Sequence, residues 1–576
     1  MFLKVLALYF IILQLMENKT IARTLRLLSQ LMELHEENPF KIKSIANAYF
    51  KIDKLPFALK DKPNDEIDKI DGIGKSLAAK IVELLETGEL TELNDNINKT
   101  PDGVVEMLGI KGIGPKKIFI IWRTLGIESI GELYYACNEN RLIEAKGFGL
   151  KTQEEIKNAI EFKLAANGRF LYAQVEAFAD MLYAQISEWL NKTEQQPLLA
   201  FAGQYRRACE IIDELEFVIG AENASDVKNK LTSFEPLSLI VGEDALITTT
   251  NTGLRIKIFV VDEAAFYLEW FKQTGNNEHV EEVLKLAGQG SFASEEAIYS
   301  AAGLAFIEPE LREGLDEIEL AKTNKLPTLI TYEDLKGSLH NHSTWSDGVH
   351  TLEQMAVYCK DVLNLEYFGI CDHSKTAVYA KGLNEQRVFG QHQEIDELNN
   401  KLAPFKIFKG IESDILSDGS LDYSADVLKT FDFVVASVHS NLRMDELKAT
   451  TRLIKAIENP YTTILGHPTG RLLLSRAGYP IDYRKVIDAC AANNVVIEIN
   501  ANPLRLDLDW RWHRYALEKG VLLSVNPDAH RTDGFHDTRY GILVARKGGL
   551  SATKCLNACS LVEITEHFEK KSIALR

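Results

Sequence analysis

Disulfide pairing, C-x-x-C spacing, low-complexity tracts and an excess of basic charge are all missing from this chain of 576 residues. Its seven cysteines, Cys137, Cys209, Cys359, Cys371, Cys490, Cys555 and Cys559, are an odd, scattered set. That excludes a fully paired disulfide framework and a cysteine zinc site, and fits reduced thiols in a cytoplasmic protein. A membrane span is also missing: residues 1–15 (MFLKVLALYFIILQL) are apolar but fall short of the roughly 20 residues needed. No small-residue cleavage site follows them. Met16 instead opens an amphipathic helical pattern, so Met16 reads as the natural start and residues 1–15 as an extension outside the fold. The net charge of −18 argues against a chain that attracts nucleic acid over its whole surface, leaving that task to local cationic surfaces and metals.

What is present is concentrated in the last 240 or so residues, where seven apolar runs recur and nearly all end in a metal-binding side chain. They are 335–343 (LKGSLHNHS), 367–374 (YFGICDHS), 405–415 (FKIFKGIESDI), 431–440 (FDFVVASVHS), 462–469 (TTILGHPT), 495–503 (VVIEINANP) and 521–530 (VLLSVNPDAH). Helical apolar spacing between them predicts alternating strand and helix, hence a parallel sheet. If the sheet closes, the strand ends meet at one mouth. The donors gathered there would be His340, His342, Asp347, His373, Glu412, His439, His467, Asp528 and His530. Imidazole and carboxylate without thiolate suit Mn, Zn or Fe rather than a closed structural zinc. At roughly three or four protein ligands per catalytic ion, nine donors imply two or three divalent ions. A lone histidine at a strand end is usually structural; the constellation is not so explained. His350, His392, His513, His536 and His567 fall in helical or loop stretches and read as ordinary.

The N-terminal region carries a second signature. Residues 71–85 (DGIGKSLAAKIVELL) and 109–124 (GIKGIGPKKIFIIWRT) each place Gly-Ile-Gly before an amphipathic helix. They resemble the helix–hairpin–helix motif, which aims backbone N–H groups at a DNA phosphate: Gly72 and Gly74 in one, Gly112 and Gly114 in the other. Lys75, Lys116 and Lys117 follow where they reach neighbouring phosphates, a contact independent of base sequence. Residues 146–151 (KGFGLK) are a weaker third copy.

The motifs H-N-H-S-T-W-S-D-G (340–348), D-H-S (372–374), G-I-E-S-D-I (410–415), S-V-H-S (437–440), G-H-P-T-G-R (466–471) and P-D-A-H (527–530) resemble the PHP phosphoesterases. That resemblance implies a seven-stranded barrel and a trinuclear centre. One ion would take His340, His342, Glu412 and Asp528. Glu412 would bridge to a second, held by His439 and His467, and a third would take Asp347, His373 and His530. Glu412 and Asp528 would be catalytic, together with Arg471 as a phosphate contact, the alternative for Arg471 being a barrel-end salt bridge.

With the hairpins, and with 37–52 (ENPFKIKSIANAYFKI) and 201–220 (FAGQYRRACEIIDELEFVIG), nearly the whole chain resembles bacterial family X DNA polymerases. The implied fold is multidomain α+β and α/β. After the extension come an N-terminal helical domain (16–95), a fingers-like hairpin domain (96–150), a palm (151–262), a thumb (263–320), a linker (321–334) and the PHP barrel (335–576). The resemblance implies a palm with three metal-binding aspartates, but Glu214, Glu216 and Lys257 occupy those positions. Arg206 and Arg207 remain, Gly203 is followed by Gln204 instead of serine, and Lys272-Gln273 replace an aromatic pair. A longer carboxylate displaces an ion by about an ångström, and misplacement of that size already costs roughly 10²-fold. A lysine puts a cation where an ion should sit. The palm reads as a scaffold that does not polymerise. Lys80 matches the Schiff-base lysine of lyase-competent relatives, with an ordinary solvated lysine as the alternative.

The function expected is therefore DNA repair by a monomer that binds gapped or nicked DNA. Its metal-dependent phosphodiesterase would act as a 3′–5′ exonuclease or process abasic sites and 3′ ends. A gap-filling polymerase and a non-catalytic repair scaffold are the alternatives.

Overall fold

In the computed structural model the described residues are 17–573, apart from 111, 144, 166–167, 194–197 and 289. The extension at 1–15 and the start at Met16 lie outside them. The chain forms two compact units, one built from 1–138 and 142–161, the other from 139–141 and 162–576.

The first unit is helical. Helix α1 (Asn18–Leu34) buries Ile21, Leu25, Leu28 and Met32, the spacing of a single core-facing stripe. Helix α2 (Lys75–Thr87) buries Leu77, Ala78, Ile81, Leu84 and Leu85. Gly88, at φ +77°, ends it with a left-handed turn that glycine adopts without a Cβ penalty. Helix α3 (Pro115–Phe119) starts on a proline, whose missing N–H costs nothing there. Helix α4 (Leu150–Ala165) follows the third Gly-x-Gly.

The second unit contains a five-stranded sheet of β1 (Leu198–Ala202), β2 (Glu214–Ala221), β3 (Ile240–Val241), β4 (Leu246–Thr249) and β5 (Arg255–Asp262), in the order β1-β2-β5-β4-β3. The pair β2–β5 is parallel and the others antiparallel. Its register sets Glu214 beside Arg255 and Glu216 beside Lys257.

Seven parallel strands follow: β6 (Gly337–Ser338), β7 (Tyr367–Ile370), β8 (Lys406–Asp414), β9 (Phe433–Ser437), β10 (Ile464–Leu465), β11 (Val496–Asn500) and β12 (Leu523–Asn526). Each lies inside one of the seven apolar runs, and they pair in sequence order. Helices α5 (Leu352–Asp361), α6 (Glu385–Leu402), α7 (Glu446–Ile457) and α8 (Tyr483–Asn493) fill four of the crossovers, and α9 (Thr538–Lys547) packs outside β12. The strands are buried on both faces, as a helix-wrapped parallel sheet requires.

The seam between β6 and β12 is closed differently. One parallel bridge joins Asn341 to Ala529. Lower down, Asn557 spans the gap: its Oδ1 accepts from Val525 N–H at 2.8 Å, its Nδ2 donates to Gly337 O at 3.3 Å, and its carbonyl accepts from Lys336 N–H at 2.8 Å. The floor is apolar. Phe568 of α10 (Leu561–Ile573) stacks on Phe433, centroids 5.1 Å apart, and meets Phe408 edge-on. Gly410 is required here, since a Cβ would collide with the Phe433 ring and the Ile370 carbonyl. A dry floor leaves the opposite mouth as the polar end.

Candidate metal centre and nucleic-acid surfaces

All nine expected donors come together at that mouth. His340 and His342 follow β6, Asp347 lies in the next turn, and His373 follows β7. Glu412 lies within β8, His439 follows β9, His467 follows β10, and Asp528 and His530 follow β12. They form four overlapping groups whose donor atoms lie within 4.8 Å of one another: His342/Asp347/His373/His530, His340/His342/Glu412, His340/His467/Asp528 and His373/Glu412/His439. Asp347, His373 and His530 stay together as the resemblance implies and are joined by His342. His467 groups with His340 and Asp528, apart from His439.

Glu412 is the hub. Its Oε1 lies 3.2 Å from His340 Nε2, 3.1 Å from His439 Nε2 and 3.0 Å from His467 Nε2, and its Oε2 is 2.9 Å from His373 Nδ1. Burial alone would lower the basicity of His439 and His530. The carboxylates of Glu412 and Asp414 push His439 up to about 9, and that of Asp347 does the same for His530. Burial and the neighbouring His530 and His373 lower His342 to about 4. Burial opposes ionisation of Glu412, yet the surrounding imidazoles hold it well below the usual carboxylate range.

The donor set fits divalent cations on two observations. It is nitrogen and carboxylate oxygen only, and many of its buried atoms, though close to one another, make no hydrogen bond of acceptable angle: His340 Nε2, His342 Nδ1, Asp347 Oδ2, His373 Nδ1, Glu412 Oε2, His467 Nδ1 and His530 Nε2. Buried polar atoms are rarely left so without a function. His439 is the most accessible of the histidines, with 11% of its side chain exposed against 5% or less for the others, so the cluster opens to solvent beside it.

Arg471 corrects an expectation. Its Nη1 holds Asp509 at 2.5 Å, its Nε donates to Arg505 O at 2.9 Å and its Nη2 to Leu506 O. A guanidinium bonded through all three nitrogens is a loop brace, the barrel-end salt bridge, with two of its five N–H donors left over. Sequence reading passed over Glu498 and Asp414. Each accepts from a cluster histidine, Glu498 from His340 Nδ1 at 2.6 Å and Asp414 from His439 Nδ1 at 2.5 Å. Their signal was a carboxylate inside a run that burial should have kept apolar.

In the palm-like sheet, Lys257 is ion-paired with Glu214, whose other oxygen binds Arg255 at 2.9 Å. Burial pushes Glu216 up to about 7, with Lys257 partly offsetting the rise and Glu214 adding to it. Gly203, at φ +61°, leaves the space the Glu216 carboxylate fills. Arg206 binds Glu295 at 2.6 and 2.8 Å and lies 3.5 Å from the Trp270 ring. Gln204 and Asp213 bond each other.

In the helical unit, Gly72 and Gly112 sit at φ +84° and +97°, where L side chains are strained. Gly74 and Gly114 cap α2 and α3 with extended backbone and no side-chain cap. A Cβ at Gly74, Gly112 or Gly114 would meet nothing within 4 Å, so the uncapped N–H groups are approachable. Lys75 and Lys116 are exposed, and Lys117 lies over the Phe148 ring at 5.6 Å. Lys80 is not solvated: only 16% of its side chain is exposed, and it is ion-paired with Glu92, which also binds Lys41.

Comparison with known proteins agrees with both signatures. A helix-hairpin-helix domain matches residues 16–90 and a SAM-like helix-hairpin-helix tandem matches 104–161. A probable phosphatase of Thermoanaerobacter sp. is 30% identical over 184 residues, covering 30% of this chain and 72% of that protein. One of Caldanaerobacter subterraneus is 36% identical over 152 residues, covering 25% and 56%. The DNA polymerase/3′-5′ exonuclease PolX of Bacillus subtilis is 32% identical over 579 residues, covering 97% of this chain and 100% of that protein. Extent, order and motifs together place this chain in the family of bacterial family X DNA polymerases with a C-terminal PHP barrel.

Proposed function

We propose that this chain is a DNA-repair phosphodiesterase whose barrel removes nucleotides from a DNA 3′ end, presented to it by the helix–hairpin–helix turns. The observation that carries this is the convergence of nine His, Asp and Glu donors at one mouth in four overlapping groups, seven of them with a buried atom that makes no hydrogen bond. His340, His342, Asp347, His373, Glu412, His439, His467, Asp528 and His530 would hold two or three divalent ions. Such ions lower the pKa of bound water towards neutrality and neutralise charge on phosphate oxygens. Glu412 keeps the groups in register by facing four histidines at once. Asp414 and Glu498 fix two of those rings, which sets the nitrogen each presents. The opening beside His439 is where the scissile phosphate enters. Segments 16–95 and 96–150 hold DNA through backbone N–H groups and lysines, without reading sequence.

The palm-like segment (151–262) serves as a scaffold. Lys257 supplies in place the positive charge that an ion would bring, Glu214 is saturated by it and Arg255, and Arg206 is committed to Glu295. The Bacillus subtilis relative is named a polymerase, which keeps gap filling as the second reading. Purified protein on 5′- and 3′-labelled gapped DNA, with and without nucleotides and chelator, separates the two. Chelator-sensitive shortening from the 3′ end without templated extension is expected. Shortening that survives both chelator and Glu412→Ala defeats the barrel assignment.

A further inference from the structure

One carboxylate beneath the cluster belongs to none of the four donor groups. Glu498, on β11, is fully buried, and four donors converge on its two oxygens. Oε2 faces His340 Nδ1 at 2.6 Å and accepts from Asn526 Nδ2 at 2.9 Å. Oε1 accepts from the His467 backbone N–H at 3.2 Å and from Asn500 Nδ2 at 3.1 Å. Asn500 Nδ2 in turn reaches Asp528 Oδ2 at 3.0 Å. His340, His467 and Asp528 are together one donor group. They are also the three of the nine donors whose backbone is left-handed, at φ +59°, +23° and +55°, a conformation that persists only where its surroundings enforce it.

We infer that Glu498 is the positioning residue for one particular ion, the one that His340 and Asp528 would hold. This rests on the reading of the barrel as a metal centre. A carboxylate only accepts hydrogen bonds, so His340 Nδ1 donates and Nε2 keeps its lone pair for the ion. The same residue pins the His467 backbone through Oε1 and steadies Asp528 through Asn500. Its hydrogen bonds reach neither Asp347, His373 nor His530, so the ion of that group stands outside its control.

Glutamine is the sharp test, because it has the same shape but carries an N–H₂. With every neighbour a donor, either orientation sets donor against donor. Facing His340, the amide is accommodated only by the tautomer that protonates Nε2 and removes the lone pair. Full-length wild type, Glu498→Gln and Asn500→Ala would be stripped with chelator, titrated with Mn²⁺ alone or Zn²⁺ alone, and counted for metal after desalting, with circular dichroism as the check on folding. Glu498→Gln is expected to hold one ion fewer, while the ions it retains bind at wild-type affinity. Asn500→Ala should weaken that same ion about 10- to 100-fold. A full complement at wild-type affinity in Glu498→Gln overturns the inference and leaves the metal centre standing, as does loss of every ion from a folded variant. A wild type that takes up no metal overturns the metal centre and this inference with it. If Glu498→Gln does not fold, Asn500→Ala decides, and unchanged affinity for every ion there overturns the inference.

Discussion

Raising the pH from about 5 to about 8 should loosen the palm strand β2, because Glu216 is forced to ionise there. Burial lifts its carboxyl from the ordinary 4.5 to about 7. Between those values the folded chain holds a proton that the unfolded chain has released, so stability falls as pH rises through that window and levels off above it. The full separation is worth at most about 3 kcal/mol; because Glu216 is half-buried, screening reduces this to about 2 kcal/mol. That is about a 30-fold change in a local opening equilibrium. Hydrogen exchange on peptides spanning 214–221, corrected for the intrinsic pH dependence of exchange, reads local opening directly. Wild type should lose about 30-fold of protection across the range, and Glu216→Gln should show a flat profile. Equal slopes in the two proteins, or protection that rises with pH, would refute the assignment of a neutral carboxylic acid at this position.

Glu412→Ala should lose nuclease activity and metal together, since Glu412 belongs to two of the four donor groups; metal counting and gel assays check this, with DNA affinity unchanged. Gly114→Val should weaken binding to gapped DNA of any sequence, measured by anisotropy. The backbone there is extended and the space open, so a loss reports blocked approach to phosphate, and unchanged affinity would make the turn merely structural. Glu214→Asp, Glu216→Asp and Lys257→Asp combined, on a Glu412→Ala background, should remove the Lys257–Glu214 ion pair and give slow templated extension where the parent gives none. Extension by the Glu412→Ala parent would restore the polymerase.

The barrel was legible because its strands and its ligands are written in the same seven runs: a stretch such as 431–440 is apolar until the residue where it reaches the mouth. The hairpin turns were legible because Gly72 and Gly112 hold a backbone conformation that other residues avoid. The sequence leaves both readings of Arg471 open because its position in the motif says nothing of Asp509, which lies 38 residues later and is brought to it only by folding. Lys80 was weighed against a solvated lysine for the same reason, since the Glu92 partner comes from another helix. Glu498 is not legible in this way because it lies inside its run, ahead of the end where the other donors gather.

The seam closed by Asn557 makes the centre a late product of folding. His342 and Asp528 meet across a separation of 186 residues, and the residue that bridges their strands comes later still. Contacts that distant form slowly, and chains fold from the N-terminus as they are made. A growing chain therefore completes its helix–hairpin–helix region well before its donor cluster exists. Truncation ahead of 555 would leave the first and last strands joined only near the mouth, by the Asn341–Ala529 bridge and the hydrogen bonds beside it. The donor cluster thus waits for residues as late as His530, and its seam for residues as late as Asn557.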